Sequence, residues 1–194
     1  MFTITSIVEG HGEIDAVRLV LNRLVYAIRP KEYVRVATPT LLPRGLMTSG
    51  PDDKIAQRLN LAAAEIGDGP GIVLIALDAD DDAACEIGPL VLARAVRLRG
   101  DVTPLVCVFE REFEVIYLAS ITELRGRCGI PNNAVPPSNP ETIRDAKGTL
   151  ARIRGTPYSP RIDQARFAAA FDLDAARAVT CFARLWLKLK QHLA

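Results

Sequence analysis

Two short stretches hold residue types that could do chemistry together. Residues 8–17 read VEGHGEIDAV, where an apolar run ends in Glu9, passes Gly10, His11 and Gly12, and reaches Glu13. Residues 74–82 read LIALDADDD, a second apolar run that ends in Asp78, Asp80, Asp81 and Asp82. Crowded carboxylates repel one another and raise one another's pKa, so a cluster of them needs a cation or a shared proton. A divalent metal is the simpler compensation. Oxygen-only ligands suit Mg2+, Mn2+ or Ca2+, and Mg2+ uses one or two protein carboxylates while leaving other positions to water and phosphate. Gly10 and Gly12 would let a phosphate approach the backbone beside a helix N-terminus, with His11 free to touch it. The plainer reading is that these acids only cap helices and solvate loop ends.

The elements that would position these residues are legible from periodicity. FTITSIV, residues 2–8, is rich in β-branched residues and predicts a strand. Ile14, Val17, Leu21, Leu24 and Ile28 then recur at the spacing of one helical face. The pattern repeats: YVRVATPTL predicts a strand, DDKIAQRLNLAAAEI a helix capped by Asp52 or Asp53, GIVLIAL a buried strand and ACEIGPLVLARAVRLR a helix. TPLVCVF predicts a fourth strand. Strands alternating with helices need crossover connections, so the expected fold is α/β, with a central four-stranded parallel sheet flanked by helices. Ligands of such sheets bind beyond the carboxyl ends of the strands. With the first and third strands adjacent, Glu9, Glu13, Asp78 and Asp80 would meet at one edge, Asp78 and Asp80 pointing the same way because they alternate along the chain.

After Phe109, EREFEVIYLASITELRGRCG predicts a helix and IPNNAVPPSNPE a loop. From Thr142 onward the chain reads as helical, with breaks at GTPYSP and FDLDAA. The expected organisation is an α/β domain over residues 1–120 and a helical C-terminal extension over 121–194 packed on the same unit. The 194 residues carry a net charge of +1, so no global basic field announces nucleic acid and any anionic partner must be bound locally. MFTITSIVEG lacks a basic region before its apolar stretch and does not read as a signal peptide, and no apolar run is long enough for a bilayer. The expectation is a soluble, cytoplasmic protein with no membrane partner. Cys85, Cys107, Cys128 and Cys181 form no CxxC pair and read as reduced filler. GHGEID departs from the dinucleotide fingerprint at Asp15, and DADDDA lacks the glycine of a calcium-binding EF-hand loop.

A glutamate closing the first strand and an Asp-x-Asp closing the third resemble the TOPRIM domain, the metal-dependent catalytic fold of topoisomerases, bacterial primases and OLD-type nucleases. The matching residues are Glu9, Asp78 and Asp80, and VEGxxE with Glu13 resembles the OLD-type nucleases more than the topoisomerases. VEGHGE, EREFEVIYLA, AKGTL and YSPRIDQARFAAAFDL are together similar to the DUF4276 family of TOPRIM-like proteins, over essentially the whole chain.

The resemblance implies a Rossmannoid domain and a Mg2+- or Mn2+-dependent nuclease acting on DNA or RNA, in a bacterial defence system with an ABC-type or AAA-type ATPase partner. Under it, Glu9 is a metal ligand or a general acid/base, while Glu13, Asp78 and Asp80 bind one or two metals, with Asp82 a candidate for the second. Glu112, just past the fourth strand, is a further candidate ligand, against the alternative of helix capping. Lys147 in AKGTL is the leading candidate for phosphate contact, together with the GHG turn. A different class of function is a partner-docking or regulatory subunit of the ATPase, which the near-neutral charge favours. A homo-oligomer stays open.

Overall fold

A computed structural model describes residues 1–193. The chain begins with β1 (Phe2–Val8) and α1 (His11–Ile28), followed by the short strands β2 (Val34–Val36) and β3 (Thr40–Leu41). Helices α2 (Arg44–Thr48) and α3 (Asp52–Ile66) lead to β4 (Gly71–Asp78), α4 (Ala84–Leu98) and β5 (Pro104–Phe109). The rest is helical: α5 (Val115–Leu118), α6 (Ile121–Leu124), α7 (Ala146–Arg154), α8 (Pro160–Ala170), α9 (Leu173–Ala176) and α10 (Thr180–His192). No helix among the described residues is long and apolar enough to cross a membrane.

The fold is α/β, and every strand pairing is parallel. The sheet has five strands rather than the four expected, in the order β2-β1-β4-β5 with β3 also on β1. The difference lies in YVRVATPTL, which is two strands on one edge of β1 instead of one. Pro39 stands between them and offers no N–H to a ladder, so pairing stops at Val36 and resumes at Thr40.

Period-two alternation sorts the strand side chains into two apolar layers. Ile4, Val8, Leu74, Ala76, Cys107 and Phe109 face one cluster, which α1, α8 and α10 complete. Ile7, Val73, Ile75, Leu77 and Val108 face the other, completed by α3 and α4. The segment beyond residue 120 therefore shares its core with the sheet. Arg23 of α1 ties it further, donating to the carbonyls of Ala168 at 2.8 Å and Phe171 at 2.6 Å.

Three local expectations differ from the structure. Asp52 and Asp53 do not cap α3, whose N-cap is Pro51; Asp52 is instead paired with Arg94 and Arg97. EREFEVIYLASITEL is not one helix but a turn followed by α5 and α6, separated at Ser120, whose hydroxyl accepts the Asp172 N–H at 2.6 Å. Gly12 serves packing, and its bare Cα faces α8. A Cβ there would stand 2.6 Å from the Pro160 carbonyl oxygen, a backbone atom that cannot swing aside. Gly12→Ala should therefore cost roughly 1–3 kcal/mol through overpacking of α1 on α8, read as a lowered melting temperature; an unchanged melting temperature would show that the two helices can part.

Candidate metal and phosphate site

β1 and β4 are neighbours in parallel register, Val8 beside Ala76, so their carboxyl ends bring Glu9 and Asp78 together. The Asp78 N–H donates to Glu9 Oε2 at 3.3 Å. The Glu9 N–H in turn donates to Glu13 Oε2 at 3.0 Å, because α1 starts immediately and places Glu13 one turn later over the strand end. Backbone N–H groups thus link Asp78 to Glu9 and Glu9 to Glu13, and the three acids cluster at the strand ends, with Glu13 and Asp78 buried. Asp78 Oδ1 is enclosed and accepts no hydrogen bond.

Burial dominates the electrostatics of this cluster. It pushes Glu13 up to about 7, against the Glu9 N–H that favours its charged form and with the neighbouring Glu9 charge adding to the rise. Burial also raises Asp78 well above the ordinary aspartate range, reinforced by the charges of Glu13 and Glu114 and opposed by Lys147. Glu9 is raised by burial too, opposed by its bond from the Asp78 N–H.

Lys147, in the first turn of α7, is the cation that meets this cluster. Its Nζ lies 2.9 Å from Glu112 Oε1, 3.6 Å from Glu114 Oε2 and 3.9 Å from Asp78 Oδ2. Its backbone N–H also donates to Glu112 Oε2 at 3.0 Å, so Glu112 clamps both ends of the residue. Burial alone would lower the Lys147 pKa, but Glu114, Glu112 and Asp78 outweigh it and hold the ammonium charged.

The acidic run after β4 departs from the expected alternation. Asp80 adopts a left-handed backbone, φ 53°, so it leaves the strand direction and is exposed while Asp78 is buried. Asp80 thus meets solvent, 3.9 Å from Arg44 Nε, while Asp78 is buried. Arg44 organises this turn: its Nε donates to the Asp78 carbonyl at 2.9 Å, its Nη2 to the Ala79 carbonyl at 3.2 Å, and it pairs with Asp82. Asp82 is thus paired with Arg44 at an exposed position, and Glu112 with Lys147. Among the described residues no three His, Cys, Asp or Glu groups stand close enough to hold a metal ion as they are, so the six-residue ligand set is not assembled. His11 is exposed at the first position of α1, and Gly10, its N-cap, lies in extended backbone.

Three participants are not among the site residues expected from the sequence. Glu114 is fully buried, with Oε1 accepting from Tyr158 at 3.1 Å and Gln164 at 2.9 Å, while Oε2 has no hydrogen-bond donor. The sequence does place it with Glu110 and Glu112 just past the fourth strand, at the same edge as the other acids, but Glu112 is the one singled out there. Tyr158 sits in GTPYSP, which reads only as a helix break. Arg44 follows Pro43 in a stretch whose apolar residues suggest nothing but edge structure.

Comparison with family models, with curated proteins and with solved structures finds no match to this chain.

Proposed function

We propose that the chain is a TOPRIM-type phosphodiesterase, dependent on Mg2+ or Mn2+ and acting on DNA or RNA. The observation that carries the reading is the cluster of Glu9, Glu13 and Asp78 at the carboxyl ends of adjacent parallel strands, tied through the backbone N–H groups of Asp78 and Glu9, with the enclosed Asp78 Oδ1 lacking any donor. Its hard oxygen donors and surplus negative charge suit a divalent cation, for which Glu13 and Asp78, with Glu9 or Asp80, would have to draw closer together than they stand here. A bound divalent ion supplies Lewis acidity toward a phosphodiester and favours ionisation of water.

The chain's own groups would do the rest. Lys147 offers a fixed ammonium to charge developing on phosphate oxygens, its position set by Glu112 and Glu114. Glu9, half-buried and with a raised pKa, would either ligate the ion or, left free of it, take up a proton at the reacting phosphate. The N-terminus of α1, with Gly10 and His11, provides backbone dipoles for a second phosphate oxygen. The setting we propose is the bacterial cytoplasm, alongside an ABC-type or AAA-type ATPase.

A second reading is a docking or regulatory subunit of that ATPase that is non-catalytic, or active only in its company. The pairing of Asp82 with Arg44 and of Glu112 with Lys147 favours it, since each pair neutralises an acid that catalysis could use. Incubation of the purified protein with plasmid, single-stranded DNA and tRNA in Mg2+ or Mn2+ separates the two. The phosphodiesterase reading predicts cleavage that disappears with chelator and falls at least about 100-fold in Glu9→Gln. Cleavage only after adding the ATPase, or none with any substrate, would favour the docking reading.

A further inference from the structure

β5 ends the sheet, and its outer edge pairs with no strand. Val73 donates to the Thr103 carbonyl and Ala79 to the Phe109 carbonyl, which sets the phase of the β4 ladder. By the alternation of a parallel ladder, Val106 and Val108 turn their N–H and C=O groups to the free edge. Pro104, at the start of β5, has no N–H to leave unmet there. An open edge of this kind is a template for another extended chain.

This edge is the floor of a groove of about 960 Å3 between α4 and α10. Leu92, Val106 and Leu185 give it apolar walls, and Leu92 is 39% exposed. Arg184, Lys188 and His192 line it from α10 at intervals of four residues, and so form one stripe along the helix. Arg184 and Lys188 are exposed and make no ion pair among the described residues, in contrast to Arg177, which is held by Asp174. Arg111 also lines it at the far end, beside Glu110, and is paired with Asp81 at 3.3 Å. The other acid of the lining, Glu141, spends both oxygens on Thr180, accepting from its N–H at 2.7 Å and its hydroxyl at 3.0 Å.

We infer that this groove docks an extended, acidic segment of a partner protein, which adds to the sheet as a further strand on β5. The free edge supplies main-chain hydrogen bonds, alternate side chains of the segment meet the apolar walls, and its carboxylates meet the α10 stripe. A single-stranded nucleic acid would use the charges but not the edge. The lining also contains no Phe, Tyr or Trp on which bases could stack. The inference is independent of the chemistry proposed for the carboxylate cluster.

The test is fluorescence anisotropy with two labelled nine-residue peptides, one alternating valine with aspartate and glutamate, the other alternating valine with lysine. The acidic peptide should bind at least about tenfold more tightly than the basic one, and more weakly as salt is raised. Val106→Pro removes an outward N–H at a position where an edge strand tolerates proline, and should weaken binding about tenfold or more with an unchanged circular dichroism spectrum. Arg184→Glu/Lys188→Glu should do the same. Should Val106→Pro fail to fold, the charge reversal together with slowed amide exchange at Val106 and Val108 on peptide addition decides. Equal binding of both peptides, no binding at about 1 mM, or binding indifferent to the variants would overturn the inference. Displacement of the peptide by oligothymidine with the same dependence on Arg184 and Lys188 would assign the groove to nucleic acid instead.

Discussion

Asp78→Asn is expected to abolish metal-dependent cleavage, at least about 100-fold, while leaving the protein folded and raising its melting temperature at pH 8. The two effects share one origin. Asp78 is buried, its Oδ1 accepts no hydrogen bond, and the charges of Glu13 and Glu114 stand near it. Its pKa in the fold lies well above the unfolded value, so ionising it costs stability at any pH above the ordinary aspartate range. Asparagine keeps the shape and carries no charge. The gain should grow as the pH rises from the ordinary aspartate range through the raised pKa, and fade as acid protonates Asp78 in both states. A residue retained for stability alone would behave oppositely, and a melting temperature that falls at pH 8 would assign Asp78 a structural role.

Lys147→Met is expected to destabilise the protein by roughly 2–4 kcal/mol at pH 8 and much less at pH 5. The lysine stands within 4 Å of Glu112, Glu114 and Asp78, and its removal leaves the fully buried Glu114 without a countercharge. The cost stays below that of an enclosed pair because 36% of the lysine side chain meets solvent. The pKa of Lys147 is raised in the fold, so its contribution is present throughout the neutral range and would be lost only in strong alkali. In the variant, Glu114 and Asp78, already raised by burial, rise further and are relieved by protonation as the pH falls. Thermal melts at the two pH values read the difference. An equal loss at both would mean that Lys147 acts by packing its stem and not by its charge.

The sheet was legible because hydrophobic periodicity is a local signal. β1, β4 and β5 fall where β-branched runs predict them, and α1, α3 and α4 fall where spacing does. The splitting of the second strand turned on one missing N–H at Pro39, which an apolar pattern underweights. The meeting of Glu9 with Asp78 followed from neighbouring strands, and neighbouring strands follow from crossover topology. What the sequence could not carry is backbone conformation and long-range pairing. Asp80 needed a left-handed turn to face solvent, and no residue type announces that turn as glycine would. Arg44 reaches the acidic turn across 34 residues, and Gln164 reaches Glu114 across 50. Gly12 was read as room for a phosphate to approach the backbone, whereas α8 takes up the space beside its Cα.

The central claim is that the carboxylate cluster at the ends of β1 and β4 binds a divalent cation, and titration calorimetry of wild type and Asp78→Asn with Mn2+ at pH 7.5 tests it most directly. The account predicts saturable binding to the wild-type protein and its loss in the folded variant. Folded wild type that binds no Mn2+ at millimolar concentration, or a variant that binds as tightly as wild type, would contradict it.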